Sequence, residues 1–270
     1  MAPISKAVIL ARGLGTRMRA ADASAALDPS QSAAADRGLK AMIPIGRPFL
    51  DFLLSALADA GFTEVCLVVA PEHQEIRDYY QGVGLRRVRL HFAVQREARG
   101  TADAVLAVES FAAAEQFLVM NSDNYYPVAC LRALRELDGP GLAAFDAAAL
   151  LRQSNIPEER LRAFALLSLD AQDMLADIVE KPDPSRAIGP GTLISMNVWR
   201  FDSDIFAACR ATSLSPRGEY ELPRAVQEGV HAGRLRLRAI RCADAAVLDL
   251  SRRSDIAAVA ARLQLVTAEL

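Results

Sequence analysis

Short apolar segments alternate with amphipathic segments through the first half of the chain. Apolar runs at residues 7–11, 64–70, 88–94 and 117–121 predict buried strands. The intervening segments 49–60, 72–80 and 101–112 carry apolar residues at helical spacing, and Gly61 stands where a helix is capped by glycine. Strands separated by helices of this length predict βαβ crossovers and a mostly parallel sheet covered by helices on both faces.

The second half is patterned differently. Residues 164–169 and 174–180 predict an antiparallel hairpin with its turn at 170–173, and strands are predicted at 192–201 and 235–240. A closing helix is predicted over 255–268 with Ser254 as its N-cap. Residues 20–37 are small, polar and unpatterned, which predicts a long mobile loop that folds over a bound ligand.

Composition narrows the class of protein. The 270 residues are 52% hydrophobic, which excludes disorder, and the net charge of −2 excludes a strong nucleic-acid footprint. No apolar run reaches the roughly 18–20 residues that span a bilayer, and the N-terminus lacks a signal-peptide layout. We therefore expect no membrane partner. The four cysteines are far apart and form no CxxC pair, which is typical of buried thiols in the cytoplasm.

A glycine-rich segment follows the first strand. Gly13, Gly15 and Thr16 would let backbone N–H groups approach phosphate oxygens, and Arg17 adds a guanidinium suited to a polyphosphate. The segment is not a P-loop, because no Gly-Lys-Ser/Thr follows, and Met18 stands where a dinucleotide fingerprint has its third glycine. The alternative is a tight strand-to-helix turn.

Charged residues also end three other apolar runs. Asp123 follows one strand and Asp249 ends the run 246–250, so both carboxylates could bind Mg²⁺ together with substrate phosphates. The alternative for Asp123 is an Asx turn. Glu180 and Lys181 precede Pro182, and the alternative there is a surface ion pair. Only three of the 31 basic residues are lysine, which favours a specific role for Lys181.

Taken in order, these segments resemble the sugar-phosphate nucleotidyltransferases. The resemblance spans nearly the whole chain: AVILARGLGTRM, KAMIPIGRPFLDFLLSALADAGFTEVCLVV, QREARGTADAVL, FLVMNSDN, IVEKP, GEYELPRAV and VLDL. It implies an α/β, GT-A-like nucleotidyltransferase fold with a Rossmann-like, mostly parallel mixed sheet and a smaller sugar-binding subdomain. It also implies Mg²⁺ and the reaction of an NTP with a sugar 1-phosphate to give an NDP-sugar and pyrophosphate.

The resemblance further implies one domain over 1–270. Residues 1–150 would bind the nucleotide, 151–250 the sugar phosphate, and 251–270 would close the fold. On the nucleotide side it assigns Ala11, Gly13, Gly15, Thr16, Lys40, Gln95, Gly100 and Thr101, the last three at the base. On the sugar side it assigns Glu180, Lys181, Asn197 and Glu219. Asp123 and Asp249 would bind Mg²⁺, and Arg17, Lys181 and Asp123 would be catalytic.

Two departures fall at the triphosphate site. Arg12 replaces one of the two small residues that open the family's loop, and the segment between Met18 and Lys40 is longer than in the short members. The amide of Gln95 mildly favours a pyrimidine, UTP or dTTP. The sequence leaves the oligomeric state open, with a homo-oligomer as one candidate.

Three alternatives stay open on the sequence. Cytidylyl transfer to phosphocholine would use an aromatic cage, for which Trp199, Tyr125 and Tyr126 are available. A catalytically silent regulator that binds a nucleotide sugar would have lost the metal pair. A glycosyltransferase would carry Asp-x-Asp, where this chain has Asn121-Ser122-Asp123.

Overall fold

Strands and helices alternate along the chain in the computed structural model, which describes residues 3–23, 25–180, 182–183 and 188–270. Strands β1–β11 are Lys6–Leu10, Glu64–Val69, Arg89–Val94, Phe117–Asn121, Asn124–Tyr125, Gly141–Asp146, Ala165–Leu169, Leu175–Val179, Leu193–Phe201, Arg238–Cys242 and Leu248–Asp249. Helices α1–α12 are Thr16–Arg19, Pro29–Arg37, Phe49–Ala60, Gln74–Gly82, Thr101–Leu106, Glu109–Ala112, Val128–Glu136, Ala147–Gln153, Glu158–Leu161, Asp204–Ala211, Leu222–His231 and Asp255–Leu263, and a 3-10 helix covers Lys40–Met42.

Nine strands form the main sheet of the described chain. Its central path is β10-β6-β9-β4-β1-β2-β3, and β7 pairs with β9 and with β8. Along that path the pairs are parallel except at β9, which runs antiparallel to both β4 and β6. The prediction of a mixed, mostly parallel sheet flanked by helices is confirmed.

Apolar clusters cover both faces of the sheet, which explains why its strands are continuous apolar runs. Successive side chains of a strand point to opposite faces. Val8 of β1 packs in one cluster, with Val119 and Trp199, while its neighbour Ile9 packs in the other. A strand that is buried on both faces has no polar positions to alternate with.

The predicted elements of the first half agree closely with the structure, with one helix divided. The strand at 117–121 and the helix at 49–60 have the predicted bounds, and Gly61 caps that helix in the left-handed region at φ 95°. The helix predicted at 101–112 is interrupted between α5 and α6. There the N–H of Val108 donates to the carbonyl of Val105, three residues back, so the regular helical pattern breaks.

The prediction that residues 20–37 form one unstructured loop is wrong from Pro29 onward. Helix α2 begins with a capping box in which Asp28 accepts from the Gln31 N–H at 2.8 Å and the Gln31 side chain accepts from the Asp28 N–H. Gly38 ends the helix at φ 74°. The start and stop signals were present in the sequence, but the helix buries only two alanines and so has no strong apolar stripe.

The second half contains the predicted hairpin, β7–β8, and two displaced elements. Strand β10 lies over Arg238–Cys242, later than predicted, and α12 ends at Leu263. The side chain of Ser254 makes no capping hydrogen bond. Instead, Asp255 Oδ2 accepts from the N–H groups of Ser251 and Arg252 at 2.9 and 2.7 Å. The predicted N-cap position, Ser254, is confirmed, but without the side-chain hydrogen bond that usually accompanies it.

Within the described residues, every helix is too short or too polar to cross a bilayer.

The capping box of α2 leads to a pH-dependent prediction. Hydrogen bonds from Ser30 and Gln31 lower the pKa of the Asp28 carboxyl. A carboxyl whose pKa is lowered by folding stabilises the fold above its unfolded pKa and loses that contribution as the pH falls through the folded value. Asp28→Ala should lower the Tm at pH 7 and flatten the fall of Tm as the pH drops below about 4, the ordinary pKa of an aspartate. Ser32→Ala, within the same helix, is the control, and an equal change in both variants would contradict the assignment.

Candidate active site

One cleft lies at the carboxyl ends of four neighbouring parallel strands. In sheet order β4, β1, β2 and β3, the residues that follow these ends and line the cleft are Asp123, Arg12, His73 and Gln95. The cavity has a volume of about 360 Å³. Ligands bind at this edge in open α/β sheets because the strand ends and helix N-termini present unpaired polar groups there.

The glycine-rich loop forms one wall of this cleft. Gly15 adopts φ 63°, and a Cβ there would overlap the backbone of Gly38, so the loop lies directly against the end of α2. Gly13 is exposed, and a Cβ on it would meet no atom within 4 Å. Met18 is fully buried in the core. The loop is therefore anchored on one side and open to the cleft at Gly13.

Lys40 and Asp123 form an ion pair in the cleft. Lys40 Nζ lies 2.9 Å from Asp123 Oδ2, and both side chains are about a fifth exposed, at 19% and 24%. The backbone of Asp123 is held by the Leu250 N–H, which donates to its carbonyl at 2.8 Å. The lysine predicted at the phosphates is therefore also the counter-ion of the carboxylate predicted to bind metal.

At the opposite end of the cleft, Gln95 is held in one orientation. Its Nε2 donates to the Gly100 carbonyl and to Asp103 Oδ2, both at 2.9 Å. Both partners only accept, so the amide cannot be flipped, and Oε1 remains as an acceptor. Asp103 was missed by the sequence analysis, because nothing local marks its pairing with Gln95.

The Gly100–Thr101 corner connects this end to the second half of the chain. Gly100 has φ 113°, and a Cβ there would overlap the backbone of Tyr220. The hydroxyl of Thr101 accepts from the Leu222 N–H at 2.8 Å. Both residues line the cleft.

A second cavity of about 140 Å³ adjoins the cleft. Glu180, Asn197 and Glu219, all predicted on the sugar side, line it together, and Thr101, Asn121, Arg217 and Glu219 line both cavities. Lys181 lies outside the described residues. The backbone of Asn197 is left-handed at φ 59°, where the register between β9 and β6 shifts. Bulges of this kind redirect a side chain beside a functional site.

Arg217 belongs to both cavities and was missed by the sequence analysis. Its Nε donates to Glu221 Oε1 at 2.8 Å, and Glu219 lies 3.8 Å away. Burial alone would lower the pKa of the Arg217 guanidinium, but the hydrogen bond to Glu221 and the charges of Glu219 and Glu180 raise it. The residue directly precedes the GEYELPRAV segment, and this adjacency is the sequence signal that points to it.

Asp249 is placed differently from Asp123. Its carboxylate is buried, forms an ion pair with Arg160, and accepts from Asn124 Nδ2 at 3.1 Å and Ser251 Oγ at 2.9 Å. It lines neither cavity. The described residues include no cluster of three or more His, Cys, Asp or Glu side chains that could hold a metal. Asp123 fits a metal shared with phosphates, whereas Asp249 fits only if Arg160 releases it.

The aromatic residues available for a choline cage are engaged elsewhere. Trp199 and Tyr126 are fully buried, and the Tyr126 hydroxyl donates to the Met196 carbonyl at 2.5 Å. Tyr125 packs against the core from β5.

Comparison with known proteins agrees with this geometry. Residues 6–244 match the family model described as nucleotidyl transferase. The chain belongs to the nucleotidyl transferase family. The resemblance and the fold class expected from the sequence are thereby confirmed.

Among curated relatives of this nucleotidyl transferase is the UTP–glucose-1-phosphate uridylyltransferase AglF of Haloferax volcanii, 28% identical over 85% of each chain. A glucose-1-phosphate thymidylyltransferase of Streptomyces griseus is 27% identical over 85% of this chain and 58% of its own. The chain spans 46% of the bifunctional protein GlmU of Methanocaldococcus jannaschii, at 27% identity. The solved structure of a UDP-glucose pyrophosphorylase complexed with UDP-glucose shares the fold, with a TM-score of 0.75 at 17% identity over 97% of this chain and 98% of that one.

The two loop glycines of this nucleotidyl transferase should respond oppositely to the same substitution. Gly15→Ala should lower the free energy of unfolding by at least about 1–2 kcal/mol, because it strains a left-handed position that also lacks space. Gly13→Ala should leave the Tm unchanged and raise the KM for nucleotide, because its methyl group extends into an open cleft. Thermal melts and initial rates separate the two, and a destabilised Gly13→Ala would contradict the placement.

Substitutions of the two aspartates should also have different effects. Asp123→Asn should leave the Tm nearly unchanged and abolish most activity and its dependence on divalent metal. Asp249→Asn should lower the free energy of unfolding by about 1–3 kcal/mol, because it removes a buried carboxylate that pairs with Arg160 and accepts two side-chain hydrogen bonds. The loss is limited because Arg160 keeps its ion pair with Asp255. If Asp249→Asn instead keeps its Tm and shifts the metal concentration needed for half-maximal rate, Asp249 is a metal ligand.

Proposed function

We propose that this nucleotidyl transferase joins an NTP to a sugar 1-phosphate, giving an NDP-sugar and pyrophosphate. The observation that carries the proposal is the pair of adjoining cavities, one beside the glycine-rich loop and one lined by Glu180, Asn197 and Glu219. The shared lining by Asn121 and Arg217 would bring the two substrates' phosphates into contact. The activities named for the two sugar-phosphate relatives support the same reaction.

The polar lining of the second cavity favours a sugar. Carboxylates and two amides offer acceptors to sugar hydroxyls, and among the described residues no aromatic side chain lines this cavity. A quaternary ammonium would need such an aromatic surface. Transfer to phosphocholine is therefore not favoured.

The reaction needs little covalent chemistry from the protein. An oxygen of the sugar phosphate attacks the α-phosphorus of the NTP, the bond from that phosphorus to the bridging oxygen breaks, and pyrophosphate leaves with the electron pair. Both reactants are anions, so the barrier is lowered mainly by positioning and by charge compensation. Amides of the Gly13–Gly15 loop and the Arg17 guanidinium, which line the cleft, would stabilise the charge on the departing pyrophosphate.

We infer that the divalent metal general to such enzymes is Mg²⁺ here. Asp123 would hold it together with phosphate oxygens, and the ion would neutralise charge on the phosphates. Lys40 would then turn from Asp123 towards the same phosphates. A role for Asp249 requires that Arg160 move away.

The fixed amide of Gln95 supports UTP or dTTP as the nucleotide. Its free Oε1 is an acceptor. Uracil and thymine present a ring N–H between two carbonyl groups, whereas the corresponding edge of cytosine offers a ring nitrogen without hydrogen. This geometry supports the preference for UTP or dTTP that the sequence led us to expect.

Three further expectations stay proposals. The division at residue 150 into nucleotide and sugar-phosphate parts is supported by the placement of Glu180, Asn197 and Glu219 in the second cavity. A cytoplasmic location is supported by the four cysteines, all free thiols. For a homo-oligomer, sedimentation of the purified chain is the direct measurement.

A substrate panel tests the function. Five NTPs would be combined with a set of sugar 1-phosphates and with phosphocholine, with Mg²⁺, and pyrophosphate release measured. We expect turnover with UTP or dTTP and a sugar 1-phosphate, and Glu219→Gln should raise the KM for the sugar phosphate more than that for the NTP. Turnover with phosphocholine alone, or no turnover with any pair, would overturn the proposal.

Lys181 provides a sharper prediction for the sugar-phosphate side. An ammonium is a compact charge that can sit between two phosphates, whereas a guanidinium prefers a bidentate grip on one. Lys181→Arg should keep the wild-type Tm and lower kcat/KM for the sugar phosphate by roughly tenfold, about 1.4 kcal/mol. Wild-type efficiency in this variant would mean that Lys181 is a surface residue without a role in turnover.

A further inference from the structure

Arg12 lies in the cleft and has no partner among the described residues. It is half-buried, it lines the cleft beside Gly13 and His73, and its Nε is fully buried with no hydrogen-bond acceptor. Among the described residues, no carboxylate pairs with it. A half-buried donor or charge left unsatisfied costs stability, so the fold itself gives no reason for this guanidinium.

Another arginine shows what a structural guanidinium looks like in the same chain. Arg200 is 1% exposed and donates to the carbonyls of Leu134, Arg135 and Leu137 at the end of α7, and to Gln116. These N–H groups therefore hold the end of a helix in place. Arg12 makes none of these contacts, which argues against a structural role.

The other cations of the cleft differ from Arg12 in how their positive charge is paired or solvated. Lys40 is paired with Asp123, and Arg217 is paired with Glu221. Arg17 lines the cleft but is exposed, so water can solvate its charge. Among the described cations of the cleft, Arg12 is thus the one that is both partly desolvated and without a negatively charged partner. An anionic ligand would supply that negative charge.

His73, which lines the cleft with Arg12, offers it no anionic partner. His73 Nδ1 accepts from the Ala70 N–H at 3.3 Å, so the neutral ring carries its proton on Nε2. Burial lowers the pKa of His73 and keeps the ring neutral; the charge of Glu72 opposes this shift, and Arg12 and other arginines add to it by smaller amounts. Arg12 follows the end of β1. In the sheet, β1 lies between β4, which is followed by Asp123, and β2, beyond which β3 leads to Gln95. This position lies beside the predicted phosphate site rather than at the base.

We propose that Arg12 is a second guanidinium for the phosphate chain of the nucleotide, contacting its phosphate oxygens alongside Arg17. The inference rests on the proposed function, in which this cleft binds an NTP. It assigns a specific role to a side chain that the nucleotidyl transferase pattern fills with a small residue. It also predicts that Arg12 contributes equally whatever the base, because a phosphate carries no base identity.

Binding of inorganic tripolyphosphate tests this without requiring turnover. Calorimetry with tripolyphosphate and Mg²⁺ would compare wild type, Arg12→Ala, Arg12→Lys and the control Arg77→Ala. Arg77 also lies near His73 but does not line the cleft. We expect roughly tenfold weaker binding in Arg12→Ala, partial recovery in Arg12→Lys and little change in the control. Equal binding by Arg12→Ala and wild type would overturn the inference.

Steady-state kinetics then distinguish a contact of Arg12 with the phosphates from a contact with the base. For Arg12→Ala, the KM values of every NTP accepted by wild type should rise by a common factor, and the Tm should stay equal or increase as an uncompensated charge is removed. A rise confined to one base would make Arg12 a base-reading residue, and a lower Tm with unchanged KM would make it structural. Either result overturns the proposal. If wild type binds tripolyphosphate through Arg12 but transfers no nucleotide, the proposed function fails while this inference stands.

Discussion

Strand β9 makes the site possible, because it is hydrogen-bonded on both sides within the sheet. It runs antiparallel between β4 and β6 and also pairs with β7. This insertion ties the irregular second half of the chain to the parallel strands of the first. It also brings Asn197 to the same edge as the end of β4, so that Asn121 can line both cavities. Without β9, the two cavities would belong to separate units.

Close backbone contacts at two glycines complete that arrangement. Gly15 lies against Gly38, and Gly100 lies against Tyr220, at distances that leave no room for a side chain. The first contact holds the glycine-rich loop against α2. The second joins the Gln95 end of the cleft to the segment that carries Arg217. Such contacts tolerate little movement, so the walls of the cleft are largely formed before any ligand binds.

Positive and negative charges are not evenly distributed within the site. Asp123, Glu219 and Glu221 each have a cationic neighbour, Lys40 or Arg217. Near the glycine-rich loop the balance tips to positive charge, since Arg12 and Arg17 have no carboxylate among the described residues. A site that brings two phosphate groups together needs an excess of positive charge where the leaving pyrophosphate would gain negative charge. The ion pairs near the second cavity instead leave acceptors suited to hydroxyl groups.

The sequence by itself determined the local features: strands with both faces buried, the helix at 49–60, the glycine-rich loop and the position of Asp123. These depend on residues close together in the chain, whose periodicity and turn chemistry are visible without a partner. It also contained the capping box of α2, which weak amphipathicity concealed. Only the tertiary structure decided that Arg160 neutralises Asp249 and that Asp103 orients Gln95. Side-chain pairing depends on which elements the sheet order places side by side, and neither pairing carries a repeating pattern along the chain.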